Sequence, residues 1–261
     1  MEIINSFLYN IEKYSRCWFE VPNLYRDEFI LGASFPKSGN TWFRFIVSNV
    51  NNLIGNFNEE INFHTIRYFS PEIRHNRNLN NAKIIDNFPI FLKTHFPYNF
   101  KFKKYKSVLI IRKPEDVMVS YYVYLQDEKF KKLPPLSKFI KHWRYGIPAW
   151  VNFHKSWYKH YDYLIKYEEL LKDPFKVIKE MYLYFGYDIP DNIIKEALNL
   201  SNKENMRKVL KEKGDPKAKN KNFQFIRKGI SGEGKQKLSK SNLEYIEKYT
   251  NQILKKYGYV F

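Results

Sequence analysis

The sequence predicts an α/β protein with three layers, a central, mainly parallel sheet flanked by helices. Two observations carry that prediction. Short apolar runs alternate with longer amphipathic stretches along the chain, as expected when strands and helices pack in layers. Two of the apolar runs also stop abruptly at polar turns that open straight into helix-like patterns. Strands of a parallel sheet behave this way at their carboxyl ends.

In chain order, the first strand is Phe29–Ser34, and the turn Pro36–Gly39 leads from it into a helix over Thr41–Asn49. The Asn-rich stretch Asn51–Pro89 reads as loops or lids. Ile90–Lys93 and Ser107–Ile111 are the second and third strands. Pro114 suits a first helical position, with Glu115 and Asp116 in the first turn, so a helix is expected over Glu115–Leu125. A helix over Leu136–Tyr145 and a fourth strand over Tyr163–Lys166 follow. Asp173–Pro174 and Pro190–Asp191 start helices over Pro174–Phe185 and Asp191–Ala197. Lys203–Asn222 is a second polar stretch, read as loop, and a last helix covers Lys240–Tyr257. No repeat or long linker divides the chain, so one domain over residues 1–261 is expected.

Composition narrows the classes. At 261 residues with 44% hydrophobic and 18% aromatic content, the chain can build a large core. The single cysteine, Cys17, excludes an internal disulfide framework and a cysteine zinc cluster. No run reaches the ~18 apolar residues of a membrane span and the N-terminus lacks a signal-peptide core, so a cytoplasmic location is expected. The net charge of +18 admits an anionic partner or a mere Lys/Asn compositional bias, and by itself it names no ligand.

The turn "FPKSGNTW" has the chemistry of a phosphate cradle. Gly39 lets the backbone come close, Lys37 brings a point charge, and Ser38 and Thr41 bring hydroxyls. The following helix aims unpaired N–H groups at an anion. It is not a Walker A loop, because Pro36 rather than Gly precedes Lys37. The apolar run "SVLII" ends in Arg112–Lys113 where a magnesium-dependent phosphotransferase would carry Asp. That strand end is a second anion site, and Ser120 lies one turn beyond Asp116 on the same helix face. Two separated anion sites suit a ligand with phosphates at two places. In "KTH", the alternation of a strand turns Lys93 and His95 to one side and Thr94 to the other. That sets a cation beside a base titrating near neutrality.

These segments resemble the cytosolic-type sulfotransferases. "FPKSGNTW" resembles their 5′-phosphosulfate loop, "IRKPEDVMVSYYVY" their 3′-phosphate motif and "FLKTHFP" their catalytic-histidine segment. "GIPAWVNFHKSWYKHYDYLIKYEELLKDP" is similar to their next region, and "FIRKGISGEGK" to their late Arg–Lys–Gly loop. All five occur in the family's order between Phe29 and Lys235. The resemblance implies a P-loop-like fold and transfer of a sulfuryl group from 3′-phosphoadenosine 5′-phosphosulfate (PAPS) to a hydroxyl or amine. Adenosine 3′,5′-bisphosphate (PAP) would be the product, with no metal. By the same resemblance Lys37, Ser38, Gly39, Asn40 and Thr41 would hold the 5′-phosphosulfate. Trp42 would lie beside the adenine and Tyr167 at its edge. Arg112 and Ser120 would bind the 3′-phosphate, joined by Arg227, Lys228 and Gly229. His95 would be the general base, with Lys93 and Lys37 facing the reacting group. His154 reads as a packing residue.

The sequence also departs from the family. Asn40 stands where Thr is common, its amide still expected to donate to phosphate. Ser201 falls at a Thr, and Lys203 at a Phe that would stack on adenine. Glu233–Gly234 replaces Asp–Trp and Lys240 breaks the usual dimerisation motif, which leaves the oligomeric state open. Tyr68, Phe69, Phe88, Phe96, Tyr124 and Trp143 are candidates to line an apolar pocket for a small-molecule acceptor, while Asn-rich segments suit a saccharide instead. Gly229, Gly232 and Gly234 suggest a mobile cover. The rivals are an ATP-dependent P-loop kinase and a basic nucleic-acid binder. The turn and the Arg112 strand end disfavour the first, and no binding motif supports the second, so no nucleic-acid partner is expected.

Overall fold

Four strands, β1 (Phe29–Ser34), β2 (Ile90–Thr94), β3 (Lys106–Ile111) and β4 (Tyr163–Lys166), form one parallel sheet in the order β2-β1-β3-β4. The computed structural model describes residues 2–21, 25–129, 132–216, 218, 220 and 229–259. Leu31 pairs with Leu92 and Gly32 with Val108, so β1 and β3 are central. Every residue of β1 is buried, because helices cover both faces and the strand reads as one apolar run.

The helices are α1 (Glu2–Glu20), α2 (Asn40–Ile54), α3 (Ile66–Phe69), α4 (Asn76–Asn80), α5 (Pro114–Val123), α6 (Leu136–Ile140), α7 (Ile147–Trp157), α8 (Tyr167–Lys172), α9 (Pro174–Tyr184), α10 (Asp191–Leu200), α11 (Lys203–Lys213), α12 (Glu233–Lys237) and α13 (Lys240–Lys256). Leu31, Leu92, Leu109 and Ile111 pack on one face with Trp150, Phe153 and Trp157 of α7, joined by residues of α1, α5 and α13. Ile30, Phe91, Val108 and Ile110 pack on the other with Phe43, Ile46 and Val50 of α2 and residues of α9 and α10. The alternation of side chains along each strand thus divides the core into two apolar layers.

Four expectations about elements are corrected. The amino-terminal helix α1 is an addition to the expected elements; Cys17 anchors it in the core, where burial pushes the thiol up to about 11. Lys203–Lys213 is a helix rather than a loop, started by Asn202, whose side chain accepts from the Asn205 N–H at 2.8 Å. The helix expected over Leu136–Tyr145 ends at Ile140. The chain then turns so tightly that a Cβ on Gly146 would lie 2.3 Å from the Ile140 carbonyl oxygen, and α7 begins at Ile147. Within Asn51–Pro89, α3 and α4 are short helices, and Glu72 bridges Lys93 as an added parallel edge beside β2.

The strand order places the topological switch between β1 and β3. The chain leaves β1 toward β2 on one side and leaves β3 toward β4 on the other. A crevice opens where the two connections part, between the loops after Ser34 and after Ile111. Among the described residues, no helix is long and apolar enough to cross a membrane.

Candidate active site

The loop from β1 into α2 is built by two left-handed residues, Lys37 (φ 68°) and Gly39 (φ 98°). Left-handed turns of this kind bring successive N–H groups to one concave side. Gly39 is required twice over, by its φ and because a Cβ there would sit 2.4 Å from the Tyr167 ring. The first N–H groups of α2 have no intrahelical partner. Ser38 is fully buried, and its Oγ has no hydrogen-bond partner among the described residues. Buried polar atoms are ordinarily paired, so this hydroxyl suits an anion held in the loop.

Arg112 is nearly buried at the end of β3. It donates from Nη1 to the Lys37 carbonyl (3.3 Å) and from Nη2 to the Ile230 carbonyl (3.0 Å). Its guanidinium lies 4.4 Å from the centre of the Tyr167 ring, and its Nε has no hydrogen-bond partner among the described residues. One side chain therefore ties together the β1 loop, α8 and the segment before α12. Asp116, in the first turn of α5, is buried and accepts from Ser231 Oγ (3.2 Å), Gly232 N (2.9 Å) and Gly234 N (2.7 Å). Gly234 is consequently a docking point and not part of a mobile cover, since a Cβ there would meet the Glu115 backbone at 2.4 Å.

These loops wall a cleft of roughly 530 Å³ at the carboxyl ends of the strands. Lys37, Gly39, Asn40, Thr41, Trp42 and Lys93 line it. His95, Arg112, Ser120, Tyr167 and Gly229 line it too. Arg227 and Lys228 lie outside the described residues. His95 follows β2, and its Nδ1 lies 2.7 Å from the Ser34 carbonyl. A carbonyl only accepts, so Nδ1 carries the hydrogen and Nε2 keeps the lone pair. Burial, followed by the neighbouring Lys93, pushes the His95 pKa down to about 3, well below the near-neutral titration expected from the sequence, so the ring is neutral across the physiological range.

The sulfotransferase domain family model matches residues 27–258. The chain belongs to the sulfotransferase family. It is accordingly an enzyme that transfers sulfate. Sulfotransferase 1 family member D1 from Mus musculus is 28% identical over 262 residues, covering 88% of this chain and 86% of the relative. Human Sulfotransferase 1E1 is 26% identical, with 88% and 85% covered. In fold, the sulfotransferase chain is similar to retinol dehydratase in complex with androsterone and inactive cofactor PAP (TM-score 0.73, 18% identity, 96% and 88% covered). It is also similar to mouse sulfotransferase SULT7A1 complexed with PAP (TM-score 0.67, 19% identity, 95% and 91% covered).

Several sequence-read positions in this sulfotransferase are placed differently from expectation. Asn40 turns its amide inward, donating to the Gly32 carbonyl (3.0 Å) and to Ser34 Oγ (3.1 Å), so its Nδ2 braces the loop and leaves only its backbone N–H for an anion. Ser201 is buried away from the cleft. Its Oγ accepts from Asn49 Nδ2 (3.0 Å), and its carbonyl accepts from Trp42 Nε1 (3.0 Å), which makes it a support for Trp42 rather than a nucleotide contact. Trp42 stands edge-on to Tyr167 with ring centres 6.3 Å apart. His154 is fully buried, its Nδ1 donating to the Trp150 carbonyl at 2.8 Å, as its reading as a packing residue requires.

The apolar acceptor pocket is also corrected. Phe69, Phe88 and Phe96 are core residues, Tyr68 and Trp143 pack against the core, and of the six aromatics only Tyr124 lines the cleft. Sequence reasoning missed Asp116 as a loop anchor, and Glu72, Arg74 and Lys129 as lining residues. The signal for Asp116 was present in the glycines of "SGEG", which leave backbone N–H groups accessible to a carboxylate. Glu72 carried no signal, because only the tertiary bridge to Lys93 brings it to the cleft.

Proposed function

We propose that this sulfotransferase moves a sulfuryl group from PAPS to a hydroxyl or amine of a small-molecule acceptor by in-line displacement. The observation that carries the reading is a pair of buried groups without hydrogen-bond partners among the described residues, Ser38 Oγ and Arg112 Nε, at the two loops that flank the switch point. They suit a ligand with anionic groups at two separated places. The neighbouring structures that hold PAP, and the family membership, support the same donor.

In this reading the β1 loop with Lys37, Thr41 and the α2 N-terminus holds the 5′-phosphosulfate. Arg112 and Ser120 hold the 3′-phosphate, with Arg227, Lys228 and Gly229 assigned there from the sequence. Trp42 and Tyr167 flank the adenine. His95 Nε2 takes the acceptor's proton as its oxygen or nitrogen bonds to sulfur. The bond from sulfur to the bridging phosphate oxygen breaks, and the charge left on PAP meets Lys37 and the loop N–H groups. Lys93 faces the transferred group. The scheme uses no metal ion.

Two experiments test it. PAP without metal should raise the melting temperature more than ATP with Mg²⁺ does, as linkage requires for a native-state ligand. Better stabilisation by ATP–Mg²⁺ would overturn the donor assignment. His95→Ala should keep PAP affinity while single-turnover transfer to an alcohol falls by about 10²–10⁴-fold. Near wild-type transfer would remove His95 as the base.

A further inference from the structure

The wall of the cleft beside His95 carries an unusual polar group. Glu72 is only 8% exposed, yet it lines the cleft next to Lys93 and His95. Its Oε1 lies 2.8 Å from Arg74 Nε, and its Oε2 lies 3.6 Å from His75 Nε2 and 3.8 Å from Lys93 Nζ. Burying a carboxylate in this way carries a desolvation cost that its attraction to the partly exposed Arg74 and His75 side chains often fails to repay. Here it is held on the cleft wall that also carries Lys93 and His95.

The segment bearing it is fixed from three sides. Ile73 N donates to the Lys93 carbonyl (3.0 Å) and Lys93 N to the Pro71 carbonyl (2.8 Å), so residues 71–73 extend the sheet edge. Ser70 Oγ donates to the Phe91 carbonyl at 2.6 Å. Arg44 of α2 donates from Nε to the Ser70 carbonyl at 2.9 Å. Polar groups that read a ligand must be held by rigid elements in this way. Tyr124 lines the same cleft, with Lys37 Nζ 4.4 Å and Lys129 Nζ 5.3 Å from its ring centre.

We propose that Glu72 and Arg74 form an acceptor-reading pair that selects a hydroxyl-rich, saccharide-class acceptor. The inference rests on the sulfotransferase reading above and names its acceptor class. A carboxylate has about four acceptor directions, so Glu72 can accept from a bound hydroxyl alongside its ion pairs with Arg74, His75 and Lys93. The guanidinium donates to ring or hydroxyl oxygens. A ligand lacking those hydroxyls would leave the buried Glu72 carboxylate facing apolar surface, and sites of that design reject such analogues strongly. An apolar sterol or simple phenol is therefore disfavoured at this wall.

The test uses the full chain saturated with PAPS, and with PAP for binding. Glucose, glucosamine, glucuronate and cellobiose are compared with phenol, cyclohexanol and a sterol. At least one saccharide should be sulfated with kcat/KM at least tenfold above every apolar acceptor, and it should bind the PAP complex by calorimetry. Glu72→Gln should raise the KM for that saccharide about tenfold or more, with a smaller change in kcat, and should leave PAP-induced stabilisation intact. Arg74→Lys should lie between the two. Preference for phenol, cyclohexanol or sterol, absence of saccharide binding to the PAP complex, or an unchanged saccharide KM in Glu72→Gln each overturns the inference. PAP stabilisation without saccharide recognition sinks this proposal alone, whereas loss of PAP stabilisation in the wild type would sink the donor reading itself.

Discussion

Asp116→Ala should release the segment that closes over the Arg112 end of the cleft. In the native chain both carboxylate oxygens are engaged, Oδ2 with Ser231 and Gly232 and Oδ1 with Gly234, while Arg112 Nη2 stands 3.8 Å from Oδ2. The substitution leaves the buried Gly234 N–H, and the half-buried Gly232 N–H, without an acceptor. Each orphaned donor costs about 1–3 kcal/mol, so the local opening of residues 229–237 should become easier by about 3 kcal/mol. Global stability should change less, because the sheet and both apolar layers are untouched. Amide hydrogen exchange followed by mass spectrometry reads this directly. Exchange across residues 231–237 should accelerate on the order of 100-fold, with the β1 and β3 peptides unchanged, since about 1.4 kcal/mol is a factor of ten. Asp116→Asn should be intermediate, as one carbonyl oxygen remains while the amide nitrogen opposes a backbone donor. Exchange in Asp116→Ala within about threefold of wild type over residues 231–237 would refute the argument.

Gly39→Ala places a side chain at φ 98° and a Cβ 2.4 Å from the Tyr167 ring. The left-handed strain alone costs about 1–2 kcal/mol, and the forced ring shift adds to it. A fall in melting temperature of at least about 3 °C, with loss of PAP stabilisation, is expected by thermal denaturation; an unchanged protein would contradict the role given to the close approach. Arg112→Ala should weaken PAP by about 2–3 kcal/mol and abolish most of the preference for PAP over adenosine 5′-monophosphate, measured by calorimetry. Retention of that preference would remove Arg112 from the 3′-phosphate site. Burial pushes the His154 pKa down to about 3, below its unfolded value near 6.5. Between those values the unfolded chain binds a proton that the folded chain does not, so this contribution to stability is lost as pH falls from about 6.5 toward 3. The slope is up to about 1.4 kcal/mol per pH unit. Urea midpoints at pH 7, 5.5 and 4.5 should show a shallower acid decline in His154→Asn than in wild type; equal slopes would contradict it.

The strands and the anion loop are legible in the primary structure, for a local reason. A strand buried on both faces must be continuously apolar, so "FILGAS", "IFLKT" and "SVLII" announce themselves and the sheet follows. The left-handed turn needs Gly39 and the helix start tolerates Pro114, and both are properties of single residues. Lys93 and His95 are likewise brought to one side by the two-residue period of a strand. Pairings between distant segments, by contrast, exist only in the folded chain. Helix α11 is too polar to announce its packing, and the break after Ile140 depends on how closely Gly146 approaches a carbonyl. In the sequence, the amide of Asn40 and the hydroxyl of Ser201 are free to face a ligand, but the backbone of β1 and the side chain of Asn49 claim them. Glu72 reaches the cleft because residues 71–73 pair with β2, about twenty positions away, and Asp116 becomes an anchor because the segment over 231–234 folds back onto α5. A carboxylate's role depends on which donors surround it, and those donors are set by the fold rather than by neighbours in sequence.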